Sequence, residues 1–174
     1  MSVTDPYDEL QRDIAEAEAR FAADSSGALM TVLRGDGGYR HLRFDLPRAS
    51  WQGFELVTWP GTLVVRGGLG CWTFHRDGAD LMDDARPSRG TARVDPLFWE
   101  ERFTSGGGQT AKRYAVGPAA VRLRDTVAVA VAGTAEAHPA RAAAVTYDPW
   151  FLLTCAALPW AAEQFGTTTV RAVF

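Results

Sequence analysis

Residues 54–74, FELVTWPGTLVVRGGLGCWTF, set the architecture of this chain. Three short runs rich in β-branched and aromatic residues, FELVTW, TLVVRGG and CWTFHR, are separated by Trp59-Pro60-Gly61 and by Gly67-Gly68-Leu69-Gly70. Pro-Gly supplies a fixed φ followed by a permissive one, as a tight turn requires. The stretch therefore reads as three antiparallel strands. Upstream, ALMTVLR and YRHLRFDL have the same period of two and are joined by Gly35-Asp36-Gly37-Gly38, a hairpin connection. In the second of these, Arg40, Leu42, Phe44 and Leu46 share one face, with Arg40 at its rim, while Tyr39, His41, Arg43 and Asp45 share the other. Five strands in meander order are the simplest arrangement.

Helical signals flank this core. Asp5-Pro6 makes an N-cap and first-turn proline, and Leu10, Ile14, Ala17 and Phe21 then form one apolar stripe. Asp8, Glu9, Asp13 and Glu16 load the opposite face near the N-terminus, where the helix dipole favours acids. Asp77–Ala85 reads as a short helix, and Asp95-Pro96 opens another through LFWEERF to about residue 104. SGGGQ at 105–109 reads as a mobile loop. Residues 118–136 contain VAVAVAG, which fits a strand or a buried helix, with length favouring the helix. Asp148-Pro149 opens the last helix, apolar on nearly every side, which should lie centrally on the sheet, with Pro159 imposing a kink or break. The expected fold is α+β: about five antiparallel strands against C-terminal helices, with an acidic N-terminal helix at an edge. A single domain spans 1–174, comprising an N-terminal helix (1–26), the sheet (28–76) and a mainly helical remainder (77–174).

The chain has 174 residues, 47% of them hydrophobic and 22% charged, within the range of a globular domain that buries a sizeable core. The net charge of -3 is uneven: residues 1–24 hold seven acids and two arginines, leaving 14 acids and 16 basic residues elsewhere. All the basic residues except Lys112 are arginine. The apolar runs are too short to span a bilayer, so no membrane association is expected. The opening MSVTDPYDELQRDI has neither the basic flank nor the apolar run of a secretory signal, which points to the cytoplasm. Cys71 and Cys155 form no disulfide framework or paired metal spacing, and both read as buried thiols.

No HExxH, GxSxG or zinc spacing is present, and neither glycine-rich loop is a Walker motif, because Lys112 is followed by Arg113. No cofactor or metal is expected. His41 and His75 fall on strands with Asp45 and Asp77 nearby, the one arrangement resembling a catalytic base. Arginines 34, 40, 43, 48, 66 and 76 decorate the sheet, and Tyr39 and Trp59 add aromatic surface, the parts of a single-strand or RNA platform. A pI near 5.6 is low for such a protein. Six tryptophans belong mainly to the core, and an exposed one would mark a contact point for a protein partner. The candidate interaction surfaces are the outward strand face (Tyr39, His41, Arg43) and the acidic helix face (Asp8, Glu9, Asp13, Glu16).

The 54–74 segment resembles a family of uncharacterised bacteriophage and prophage proteins in which a strand ending in TWPG precedes a second strand, a Gly-Asp-hydrophobic-Gly turn and an aromatic-rich strand. His41-Leu-Arg-Phe44, Asp95-Pro-Leu-Phe-Trp99 and Leu158-Pro-Trp160 to Phe165 are similar to further parts of that family, so the likeness touches about half the chain. Gly68 stands where the family usually has aspartate. The resemblance implies a phage-type accessory protein without enzymatic activity. Such a protein binds a host protein or ribonucleoprotein complex, as inhibitors of host defence such as anti-CRISPR proteins do. Nucleic-acid binding through the sheet is the alternative, and an enzyme with a His41 or His75 base a third.

Overall fold

The computed structural model describes residues 6–86, 94–106, 110–114 and 145–167. Helix α1 (Pro6–Asp24) leads into strands β1 (Leu29–Asp36), β2 (Tyr39–Asp45), β3 (Gly53–Trp59), β4 (Thr62–Gly67) and β5 (Gly70–His75). Short helices α2 (Leu81–Asp84) and α3 (Pro96–Glu100) and strand β6 (Phe103–Ser105) follow, then β7 (Lys112–Tyr114), β8 (Val145–Tyr147) and the long helix α4 (Pro149–Thr167). The first six strands form one antiparallel sheet in the order β1-β2-β3-β4-β5-β6, and β7 pairs with β8 separately. The class is α+β, and the meander has one strand more than the sequence suggested.

That sixth strand corrects the reading of residues 95–104 as one helix. Asp95 caps α3 as expected, its side chain accepting the Phe98 amide at 3.0 Å. The helix nevertheless ends at Glu100. Arg102 then gives its carbonyl to the His75 amide at 2.7 Å, and Phe103 packs its ring against Trp72, Phe74 and Phe151. The four-residue spacing from Trp99 to Phe103 fits a helix, but the open edge of β5 offers both backbone pairing and an aromatic slot. Residues 118–136, with their helical expectation, lie outside the described residues, as do 107–109.

Register places Leu42, Phe44, Phe54, Leu56, Leu63, Val65, Trp72 and Phe74 on one face, all buried. Helix α4 lies on that face. Residues Phe151 to Leu158 are buried without interruption, which is why its sequence lacks a polar side. Phe151 meets Trp72 and Phe74 near one end, and Trp160 meets Phe44 and Phe21 at the other. Each such large apolar side chain contributes about 1.5–3 kcal/mol on burial. The helix runs through Pro159 without a break. Its start is capped by Asp148, which accepts the Trp150 amide at 2.8 Å. Helix α1 lies beside α4, with Ile14, Ala17 and Phe21 turned inward as their spacing predicts.

Cys155 is buried, and burial pushes its thiol well above the usual range. Cys71, expected to be buried as well, is exposed. It pairs with Arg66 across β4 and β5, whereas Trp72 takes the core-facing position of that strand. Among the described residues, no helix is long and apolar enough to cross a membrane.

Candidate interaction surface on the open face of the sheet

The helices described cover one face of the sheet, and the other carries the alternate residue of every strand. Tyr39, His41 and Arg43 of β2 lie on this open face, as the alternation predicts. Beside them stand Glu55, Val57 and Trp59 of β3, then Val64 and Arg66 of β4. Tyr39 and Trp59 are 51% and 42% exposed, and on the edge strand β1 Leu29 and Leu33 are 67% and 46% exposed. Leu33 sits at a register shift in the β1–β2 pairing, so it falls out of the strict alternation.

Glu55 organises the centre. Cross-strand register sets it between Arg43 and Arg66. One carboxylate oxygen accepts from Arg43 Nε at 3.1 Å; the other accepts from His41 Nε2 at 2.9 Å and from Arg66 Nε and a terminal guanidinium nitrogen at 2.8 and 2.6 Å. Because an ionised carboxylate only accepts, His41 carries its proton on Nε2. The His41 hydrogen bond, followed by those from Arg66 and Arg43, holds Glu55 down to about 2 against the opposing pull of burial. A shallow depression of about 450 Å³ lies alongside, bordered by Arg43, Asp45, Trp51, Gln52, Glu55 and Arg66.

Three further sheet arginines are also paired. Arg34 meets Asp36 at 3.1 Å and stacks on Tyr39, and Arg76 meets Asp84 at 2.8 Å. Arg40, on the covered face, holds Asp80 through two bonds of 2.8 and 2.7 Å. Burial pushes Asp80 upward, but the bonds and charge of Arg40 outweigh it and keep the carboxyl below its usual value. Of the six arginines read in the sequence as parts of a single-strand platform, five are thus neutralised within the protein, and Arg48, exposed in the β2–β3 connection, has no carboxylate partner among the described residues.

At the far end of the sheet His75 donates from Nε2 to Asp77 at 2.9 Å, leaving Nδ1 to accept the Thr62 hydroxyl at 3.1 Å. Both histidines thus have the carboxylate partner a base would need, but His41 has Glu55 rather than Asp45. Neither ring lines the depression beside Glu55 or the cleft between α1 and α4 described below.

The acidic helix face lies on the opposite layer. Glu9 and Glu16 are exposed, and Asp13 is half-buried, accepting the Thr146 hydroxyl at 3.3 Å. Asp8 belongs to α1, but its side chain is outside the described residues. The structure therefore unites Tyr39, His41 and Arg43 and separates them from Glu9, Asp13 and Glu16 by the thickness of the domain. Glu55 was missed in the sequence, although period two already turned it outward between two arginine-bearing strands.

Gly68 has a structural explanation. Its amide donates to the Gly53 carbonyl at 2.8 Å, and a Cβ at this position would stand 2.1 Å from the Trp51 carbonyl oxygen. An aspartate would collide there unless the 51–53 loop moved. Comparison with protein-family models, with curated proteins and with solved structures finds no match.

Proposed function

We propose that this protein is a non-enzymatic binding protein that engages a protein partner through the open face of its sheet. The observation that carries this reading is the pairing of exposed Tyr39 and Trp59 with a charge network closed on itself around Glu55. Exposed aromatics on a rigid strand supply contact area with little ordering cost, and Trp and Tyr are enriched among residues that dominate binding energy. Arginines already bonded to carboxylates offer fewer unpaired cations to a phosphate backbone, which favours protein over nucleic acid. The resemblance to phage and prophage proteins gives the partner its class: a host macromolecular complex, including a defence complex such as a CRISPR effector, obstructed by occupation of its surface.

The test is capture of the partner from a bacterial host, followed by reconstitution with that purified partner. Replacing Trp59 and Tyr39 by alanine should weaken binding about 10- to 100-fold while leaving the unfolding midpoint nearly unchanged. Undiminished affinity in the double variant would remove the open face from consideration. Binding to a single-stranded nucleic acid that weakens steeply with salt would replace the protein partner with a nucleic acid.

A further inference from the structure

We propose that a cleft on the helical side, between α1 and the start of α4, receives one cationic side chain, an arginine or lysine, from a partner protein. The cleft has a volume of about 270 Å³. Ala17, Leu152 and Leu153 form its apolar floor, Tyr147 closes one side, and Asp13 and Glu16 stand on its lip. Its floor is almost entirely buried, and its volume is less than that of one turn of a helix about 10 Å across, so it suits an inserted side chain rather than a helix.

Charge complementarity selects the occupant. Glu55, Asp80, Asp84 and Glu100 each face a cation within the protein. Among the described residues Asp13 and Glu16 face none within 4 Å, and Asp13 receives only the Thr146 hydroxyl. Arg20, the cation bordering the cleft, is turned to Asp24 at 3.8 Å and lies over the Trp150 ring at 5.1 Å. The first-turn amides of α4, the positive end of that helix, already have Asp148 as acceptor. A long cationic side chain fits both parts of the cleft, placing its methylene stem on Leu152 and Leu153 and its head between two carboxylates. A carboxylate or phosphate would meet repulsion at the same lip. The inference rests on the helical layer alone and stands whether or not the open sheet face binds a partner.

The experiment is an amide-resonance titration of the labelled full chain with N-acetyl-arginine methylamide, with N-acetyl-norleucine methylamide as the uncharged probe. The arginine probe should produce saturable shifts confined to residues 13–20 and 147–153, with a dissociation constant of ~1 mM. Asp13→Asn with Glu16→Gln should weaken it at least about tenfold, Glu16→Gln alone should weaken it less, and the norleucine probe should not saturate. Trp59→Ala should leave the titration unchanged, which separates failure here from failure of the sheet-face reading. Shifts spread without saturation over exposed acids such as Asp36 and Asp77, or equal affinity in the charge-neutral variants, would overturn the proposal.

Discussion

Replacing Glu55 by glutamine keeps the side chain's shape and removes the charge that Arg43 and Arg66 share and that His41 hydrogen-bonds. The ordinary carboxyl value is 4.5, and in the folded protein Glu55 is held at about 2. With no solvent screening that difference would correspond to about 3 kcal/mol. Glu55 itself is 16% exposed, but Arg43 and Arg66 are 48% and 58% exposed, so water weakens the interaction and roughly 1–2 kcal/mol remains. The sign follows from the direction of the shift. A depressed carboxyl stabilises the fold fully above 4.5 and loses that contribution as pH falls toward 2. Urea unfolding of the native protein and of Glu55→Gln should therefore differ by roughly 1–2 kcal/mol at pH 7, with the gap narrowing below pH 4.5 and closing near pH 2. A gap that stays constant from pH 7 to pH 3, or none at pH 7, would refute the claim that Glu55 is held by its charge. High salt should reduce the gap at pH 7, since the arginines are open to solvent.

Gly68→Ala should lower stability by about 1–3 kcal/mol in the same assay, because its methyl meets the Trp51 carbonyl oxygen, and a neutral outcome would mean that the 51–53 loop yields freely. Arg40→Lys should cost about 1–3 kcal/mol in urea unfolding despite retaining charge, since an ammonium cannot reproduce the two-point contact with Asp80. In thiol labelling with an aromatic disulfide, Cys71 should react in the folded protein and Cys155 only after unfolding; equal rates would contradict the burial of the latter.

The first five strands were legible because β2 to β5 alternate and the β1–β2, β3–β4 and β4–β5 turns carry residues suited to a reversal. Leu42, Phe44, Leu56 and Phe74 are buried where period two puts them. The three Asp-Pro pairs are helix starts in the sequence, and capping by Asp95 and Asp148 is visible in the structure. Phe103 was misplaced because local spacing knows nothing of the unpaired edge of β5. Cys71 was misassigned for a related reason: a small apolar residue beside Trp72 looks buried until register gives the inward position to the tryptophan. Tyr39, His41 and Arg43 were correctly grouped by alternation along one strand. Glu55 became visible as their hub only when strands 10 or more residues apart were aligned, for a one-dimensional pattern holds no cross-strand partner.

The covering helix α4 comes late in the chain, and this order constrains how the protein is made. Synthesis passes His75 at the end of β5 roughly 70 residues before it reaches Pro149. At about 5–20 residues per second, the meander waits on the order of 4–14 s for its roof. During that interval the aromatic face of Phe44, Phe54, Trp72 and Phe74 lacks its partner helix, at a stage when only neighbouring strands can close their hydrogen bonds. The final compaction of the domain is therefore a late event set by the arrival of one helix.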